Sequence, residues 1–84
     1  MKFKALINVM PHDNLLDPQG KAVAQGLFSL NLKSIENVRI GKHIILELEA
    51  KDEHEAAEIA RIGCEKLLVN AVMERYDIQI LKVY

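Results

Sequence analysis

The sequence predicts an α+β domain in β-α-β-α-β order, related to ferredoxin-like folds. It is expected to carry a long bent central strand and two helices on one face of an antiparallel sheet, and to be completed by dimerisation. Three observations predict this. Lys2 to Met10 alternates apolar and polar residues with period two. Two stretches of helical periodicity each open on an aspartate suited to N-capping, Asp17 and Asp52. The run from Ile35 to Ala50 alternates over more residues than one small sheet accommodates.

In the first strand Phe3, Ala5, Ile7 and Val9 share one face and Lys2, Lys4, Leu6 and Asn8 the other, which marks a half-buried strand. Pro11 to Asn14 supplies turn residues. The first helix then runs from Pro18 to about Asn31. Asp17 is its N-cap, Pro18 stands at N1 where a missing N–H costs nothing, and Asn31 suits the left-handed residue beyond the C-cap. Ala22, Val23, Gly26, Leu27 and Leu30 form its expected inner face. Gly20 is the odd residue: glycine inside a helix costs roughly 1 kcal/mol relative to alanine. Its place in the first turn points to something that approaches the backbone there.

The central stretch poses the architectural question. A two-residue hairpin turn at Gly41-Lys42 would set Glu36 opposite Glu47 and put Ile44, Leu46 and Leu48 on a face with Asn37 and Arg39. Read as one strand, Val38, Ile40, Ile44, Leu46, Leu48 and Ala50 all point one way, with Lys42 alone breaking the row. Such a strand would be about 50 Å long at about 3.3 Å per residue. The expectation is therefore a strand kinked near Gly41 whose halves serve different sheets, one of them including a second protomer; a three-residue loop with a bulge is the alternative. Asp52 to about Val69 is the second helix, with Glu55 completing a capping box and Ala56, Ala57, Ala60, Gly63, Cys64, Leu67 and Leu68 as its buried stripe. Asn70 is a candidate C′ residue. Val72 to Tyr84 is the last strand, with Tyr76, Ile78 and Ile80 on one face.

Bulk properties narrow the function. The chain has 84 residues, a net charge of −1 and 50% hydrophobic residues. That is one domain with more apolar material than one small core uses, so part of it is expected to be buried against another chain. No basic run is present, which argues against a nucleic-acid partner. The lone Cys64 fits a reducing compartment, and neither a signal peptide nor an apolar run approaching ~20 residues is visible, so a soluble cytoplasmic protein with no membrane partner is expected.

Chemistry is sparse. His54 and Glu58 lie four apart on one helical face but lack a third metal ligand, and exposed helix residues is the stronger reading. Cys64 sits on a small-residue stripe away from any base and reads as structural. Gly20-Lys21 lacks the rest of a phosphate-binding loop. Arg39 and Lys42 flank the kink, either as a solvated edge or as a patch for an acidic surface. No constellation supports catalysis by this chain alone, and neither metal nor cofactor is expected in it.

Leu16-Asp17-Pro18-Gln19-Gly20-Lys21-Ala22, Val38-Arg39-Ile40-Gly41-Lys42 and Cys64-Glu65-Lys66-Leu67-Leu68-Val69-Asn70, in that order, resemble the PurS family, small subunits of phosphoribosylformylglycinamidine (FGAM) synthase. The resemblance covers essentially the whole chain. Asn31 stands where the family commonly has Gly, Ala71 where Pro is usual, and the loop around His12 departs from the commoner pattern. The resemblance implies a non-catalytic bridging subunit in purine biosynthesis, forming a homodimer or higher oligomer. It would join a large synthetase (PurL), which holds ATP and Mg, to a glutaminase (PurQ) that releases ammonia. The implied contact residues are Asp17, Gln19, Gly20, Lys21, Arg39, Lys42 and Asn70. A ferredoxin-like regulatory module that binds a small molecule is the competing class, and it needs a hairpin between the helices. An RNA-binding ferredoxin-like domain ranks third, since the aromatic platform it needs is missing.

Overall fold

β1 (Lys2–Pro11) is the middle strand of a three-stranded antiparallel sheet, flanked by β2 (Lys42–Glu49) and β3 (Glu74–Val83) in the order β2-β1-β3. The computed structural model describes residues 1–83, so the expected last residue of β3, Tyr84, lies outside the described residues. α1 (Pro18–Ser29) links β1 to β2, and α2 (Glu53–Gly63) links β2 to β3. The predicted α+β class and β-α-β-α-β order hold.

The core is the predicted face of β1. Phe3, Ala5, Ile7 and Val9 are buried, and cross-strand registry places Ile7 between Ile44 and Ile78 and Ala5 between Leu46 and Ile80. α2 covers this face through Ala56, Ala60 and Cys64, whose small side chains let the helix lie close on the strands. Asp52 caps α2 by accepting from Glu55 N–H at 2.8 Å, while the Glu55 carboxylate accepts from Lys51 N–H. The last turn, Cys64–Leu68, widens so that Val69 N–H reaches the Cys64 carbonyl at 3.0 Å. The extra residue shifts the phase of the stripe: Leu68 and Val69 turn inward, and Leu67, expected in the core, is 84% exposed.

Two expectations need correction. The strand does not run unbroken through Gly41: β2 starts at Lys42, and residues 35–41 form neither strand nor hairpin. No strand of this chain flanks that segment among the described residues, and its polar groups turn to the start of α1 instead. Only α2 lies on the sheet. α1 packs on none of the other elements among the described residues, and its expected inner face is largely open, with Val23 exposed and Leu30 70% exposed. α1 nevertheless ends as predicted. Asn31 takes φ 66°, Leu32 N–H donates to Leu27 O and Asn31 N–H to Phe28 O, a Schellman closure with Asn in the left-handed place.

Residues 12–41 thus form an arm that leaves the sheet and returns. The molecule measures 51 × 29 × 14 Å, with a radius of gyration of 16.5 Å. A compact chain of this length would have about 12 Å. α2 sits over β3 and β1 and touches β2 least. Ile44, Leu46 and Leu48 on the core face of β2 are therefore only half-buried.

The core carries a direct test. Ile7→Ala is expected to lower the unfolding free energy by about 2–5 kcal/mol in chemical denaturation. Leu67→Ala, at the exposed position, is expected to change it by less than about 0.5 kcal/mol.

Candidate functional site

The predicted site residues gather at the end of the sheet where β1 finishes, around the base of the arm. Asp17 is the centre. One carboxylate oxygen accepts from Gly20 N–H at 2.9 Å, capping α1, and the other accepts from Ile40 N–H at 2.8 Å. A single side chain therefore joins the outgoing and returning legs of the arm. These two backbone donors, with the nearby Arg39 guanidinium, hold the Asp17 carboxyl below the usual carboxylate range against a smaller opposing effect of desolvation. Arg39 closes the same junction by donating to the carbonyls of Leu15 at 2.8 Å and His12 at 2.7 Å.

Gly20 is explained here. It is buried, and a Cβ on it would fall on the Val38 carbonyl. The visitor to this backbone is the returning leg of the same chain. Gly41 plays a matching part where the arm rejoins the sheet, since a Cβ there would fall on the Val9 carbonyl and the Met10 sulfur.

The base of the arm is tied onward to the turn before β3. His12 N–H donates to Met73 O at 3.0 Å, and its Nε2 is 3.0 Å from Ala71 O. Asn70, expected to close α2 in the left-handed region, does not take a positive φ; the wide last turn has already closed the helix. Asn70 builds the next turn instead. Its side-chain oxygen accepts from Val72 N–H, and its own N–H donates to the Glu74 carboxylate at 2.9 Å. The other oxygen of Glu74 lies 3.7 Å from Lys42 Nζ. Asp17 and Asn70 line one open cleft of about 420 Å³ together with Leu15, Leu16 and Met73.

Five of the seven predicted residues (Asp17, Gly20, Arg39, Lys42 and Asn70) are thus joined through internal bonds. Gln19 and Lys21 stand exposed on the first turn of α1. Sequence reasoning missed His12 and Glu74, which connect the parts. Their partners are about sixty and thirty residues away, and neither carries a local signature. Elsewhere, Arg61 on α2 pairs with both Glu58 and Glu65, which raises its pKa, and burial pushes the Cys64 thiol up. Among the described residues no cluster of three or more His, Cys, Asp or Glu is placed to hold a metal, and no helix is long and apolar enough to cross a membrane.

An open α+β sheet with one half-covered edge and a clamped helical arm defines the class: a small module with surface left to share with another chain. The family model for PurS, phosphoribosylformylglycinamidine (FGAM) synthase, matches residues 4–82. A PurS subunit of that synthase from Thermotoga maritima is 38% identical over 92% of this chain and 94% of the relative. Another from Synechocystis is 43% identical over 93% of this chain and 78% of the relative. A chain in the solved structure of PurLQS from Thermotoga maritima superposes with a TM-score of 0.89 at 37% identity, covering 96% of this chain and 99% of that one. The chain belongs to the PurS family.

The clamp predicts local behaviour. Gly20→Ala is expected to weaken the arm by about 1–3 kcal/mol through overpacking against Val38, read as faster amide exchange in α1 with β1 amides unchanged. Asp17 adds a pH dependence. Its pKa is lower in the folded state, so its contribution is complete above the ordinary aspartate value of about 4 and is lost as pH falls through the lowered value. Exchange in α1, corrected for the intrinsic rate, should rise on acidification in the native chain and lose this step in Asp17→Asn.

Proposed function

We propose that this chain is the small, non-catalytic subunit of an FGAM synthase, bridging a large synthetase and a glutaminase in purine biosynthesis. The complex converts formylglycinamide ribonucleotide to the amidine with ATP and glutamine. In this reading ATP and Mg belong to the synthetase, glutamine hydrolysis to the glutaminase, and the small subunit holds the two so that ammonia passes between them. Its setting is the cytoplasm. Family membership and the PurLQS assembly of the Thermotoga relative support this reading.

The observation that carries the assembly role is the unpartnered arm beside a half-covered sheet. Ile44, Leu46 and Leu48 of β2 and the exposed Ile59 on the neighbouring flank of α2 outline a berth for a second helix. α1 presents Val23, Leu27 and Leu30 and has no such berth among the described residues of its own chain. The proposed homodimer is a reciprocal exchange: α1 of each copy lies on the other's sheet, and residues 35–41 pair with the free edge of the other's β2. Each half then gains the fourth strand and second helix of a ferredoxin-like layer. Asp17, Gly20 and Arg39 serve docking indirectly, by fixing the arm's base. Gln19, Lys21 and the Asn70 turn are the surface offered to the larger subunits. The competing small-molecule module lacks its hairpin, since residues 35–41 form no strand to pair with β2.

Lys21→Glu separates surface from scaffold. In a complex reconstituted with synthetase and glutaminase, it is expected to weaken co-elution and glutamine-dependent activity about tenfold. Ammonia-dependent activity of the synthetase and the fold of the small subunit should be unchanged. Full glutamine-dependent activity with intact co-elution would overturn the proposed contact.

A further inference from the structure

The arm exchange uses one side of α1. At about 100° per residue, Val23, Leu27 and Leu30 fall within about 60° of one another, and this is the side laid on the other copy's sheet. Lys21 and Phe28, seven residues apart, share a face that lies about 130–150° round the helix from it. Gln25 stands beside them, and all three are exposed. The chain has two phenylalanines. Phe3 is core at 3% exposure, whereas Phe28 keeps 58% of its surface in water. Its own sheet does not cover it, and the exchange turns it outward.

The end of α1 adds a cation to this face. The helix closes at Asn31 through Leu32 N–H to Leu27 O and Asn31 N–H to Phe28 O. The chain reverses there and carries Lys33 back over the helix, so that its Nζ stands 5.3 Å from the centroid of the Phe28 ring. Between Asp17 and Glu36 the only charged side chains are Lys21 and Lys33. The Asp17 carboxylate is occupied by the N–H groups of Gly20 and Ile40. Among the described residues neither lysine has a carboxylate at ion-pair distance. The outward face of the arm is therefore an aromatic ring with one cation upon it, a second two turns below, and no counter-charge.

That combination describes its partner. A bulky aromatic contributes most to binding when it fills a desolvated apolar pocket. One face of the Phe28 ring already carries Lys33, so the pocket takes the other face and the edge. Unpaired cations at the rim gain from carboxylates opposite them, which a bare apolar surface lacks. We infer that Phe28, with Lys33 on its ring and Lys21 below it, anchors the arm in an acid-rimmed apolar slot on a larger subunit of the synthase. The inference rests on the bridging role proposed above and extends the contact from Lys21 to the far end of α1.

Fluorine resonances test it. With para-fluorophenylalanine at both positions the chain gives two signals, and Phe28→Leu identifies which is which. Adding the synthetase and the glutaminase in separate titrations should move the Phe28 resonance with one of them, while the Phe3 resonance keeps its position. In binding titrations Phe28→Ala should weaken association with that subunit about thirtyfold. Lys33→Glu should weaken it about tenfold, with a larger loss at low salt. Light scattering of either variant alone should match the parent chain. A Phe28→Ala chain that binds both larger subunits like the parent would overturn the inference and leave the bridging role standing. A parent chain that binds neither would remove both. A changed oligomeric mass of Phe28→Ala, with a Phe28 resonance unmoved by either larger subunit, would assign the ring to a second copy and overturn the inference as well.

Discussion

A single carboxylate holds the two legs of the arm together. Asp17 accepts from Gly20 N–H on the way out and from Ile40 N–H on the way back. Thirty residues separate the end of β1 from the start of β2, and without a junction near its base such an excursion would be a long loop with a helix floating in it. Glycine at position 20 lets the Val38 carbonyl press against the first turn, and Arg39 binds the carbonyls of Leu15 and His12. Three contacts of different kinds thus meet at the base of the arm. The outcome is a helix whose direction is set by its base, since α1 packs on no other element among the described residues.

That arrangement accounts for the uneven covering of the sheet. α2 lies to one side, over β3 and β1, with alanines and a cysteine against the strands. The other side, above β2, keeps Ile44, Leu46 and Leu48 half-exposed. Apolar surface left in water is unfavourable at about 25 cal/mol per Å², and the arm's Val23, Leu27 and Leu30 lie outside the core of their own chain. In the proposed exchange a second copy covers both surfaces at once. The small size of the chain makes this sharing more pressing, because a domain of this length buries a modest fraction of its surface alone. Rigidity at the arm's base then serves affinity, since a pre-positioned helix loses less freedom on docking.

Much of this was legible in the residues. The alternation of β1 named Phe3, Ala5, Ile7 and Val9 as core, and all four are buried. Asp17, Asp52 and Asn31 marked helix ends through short-range chemistry, and each holds its predicted place. The excess of apolar residues and the overlong alternation from Val38 to Ala50 pointed to surface shared with another chain. What failed depended on distance or phase. Leu67 was placed inside by ideal helical spacing, which a widened last turn breaks. Asn70 resembled a second left-handed cap, yet it builds the turn that follows. The continuity of residues 36–49 as one strand rests on periodicity, while strand formation also needs a neighbour, and residues 36–41 have none among the described residues. Gly20 was recognised as a site of close approach, but local sequence could not say that Val38 was the group approaching. The links through His12 and Glu74 join segments far apart in sequence and had no local signal to read.

The central claim is that the clamped arm of one copy completes the sheet of another. Mixing chains labelled with ¹³C on isoleucine and leucine methyls with unlabelled chains, and recording filtered nuclear Overhauser contacts, tests it most directly. The account predicts intermolecular contacts from the α1 residues Val23, Leu27 and Leu30 to Ile44, Leu46 and Leu48 of β2. Self-association in which those methyls show no contact with the other chain would contradict it.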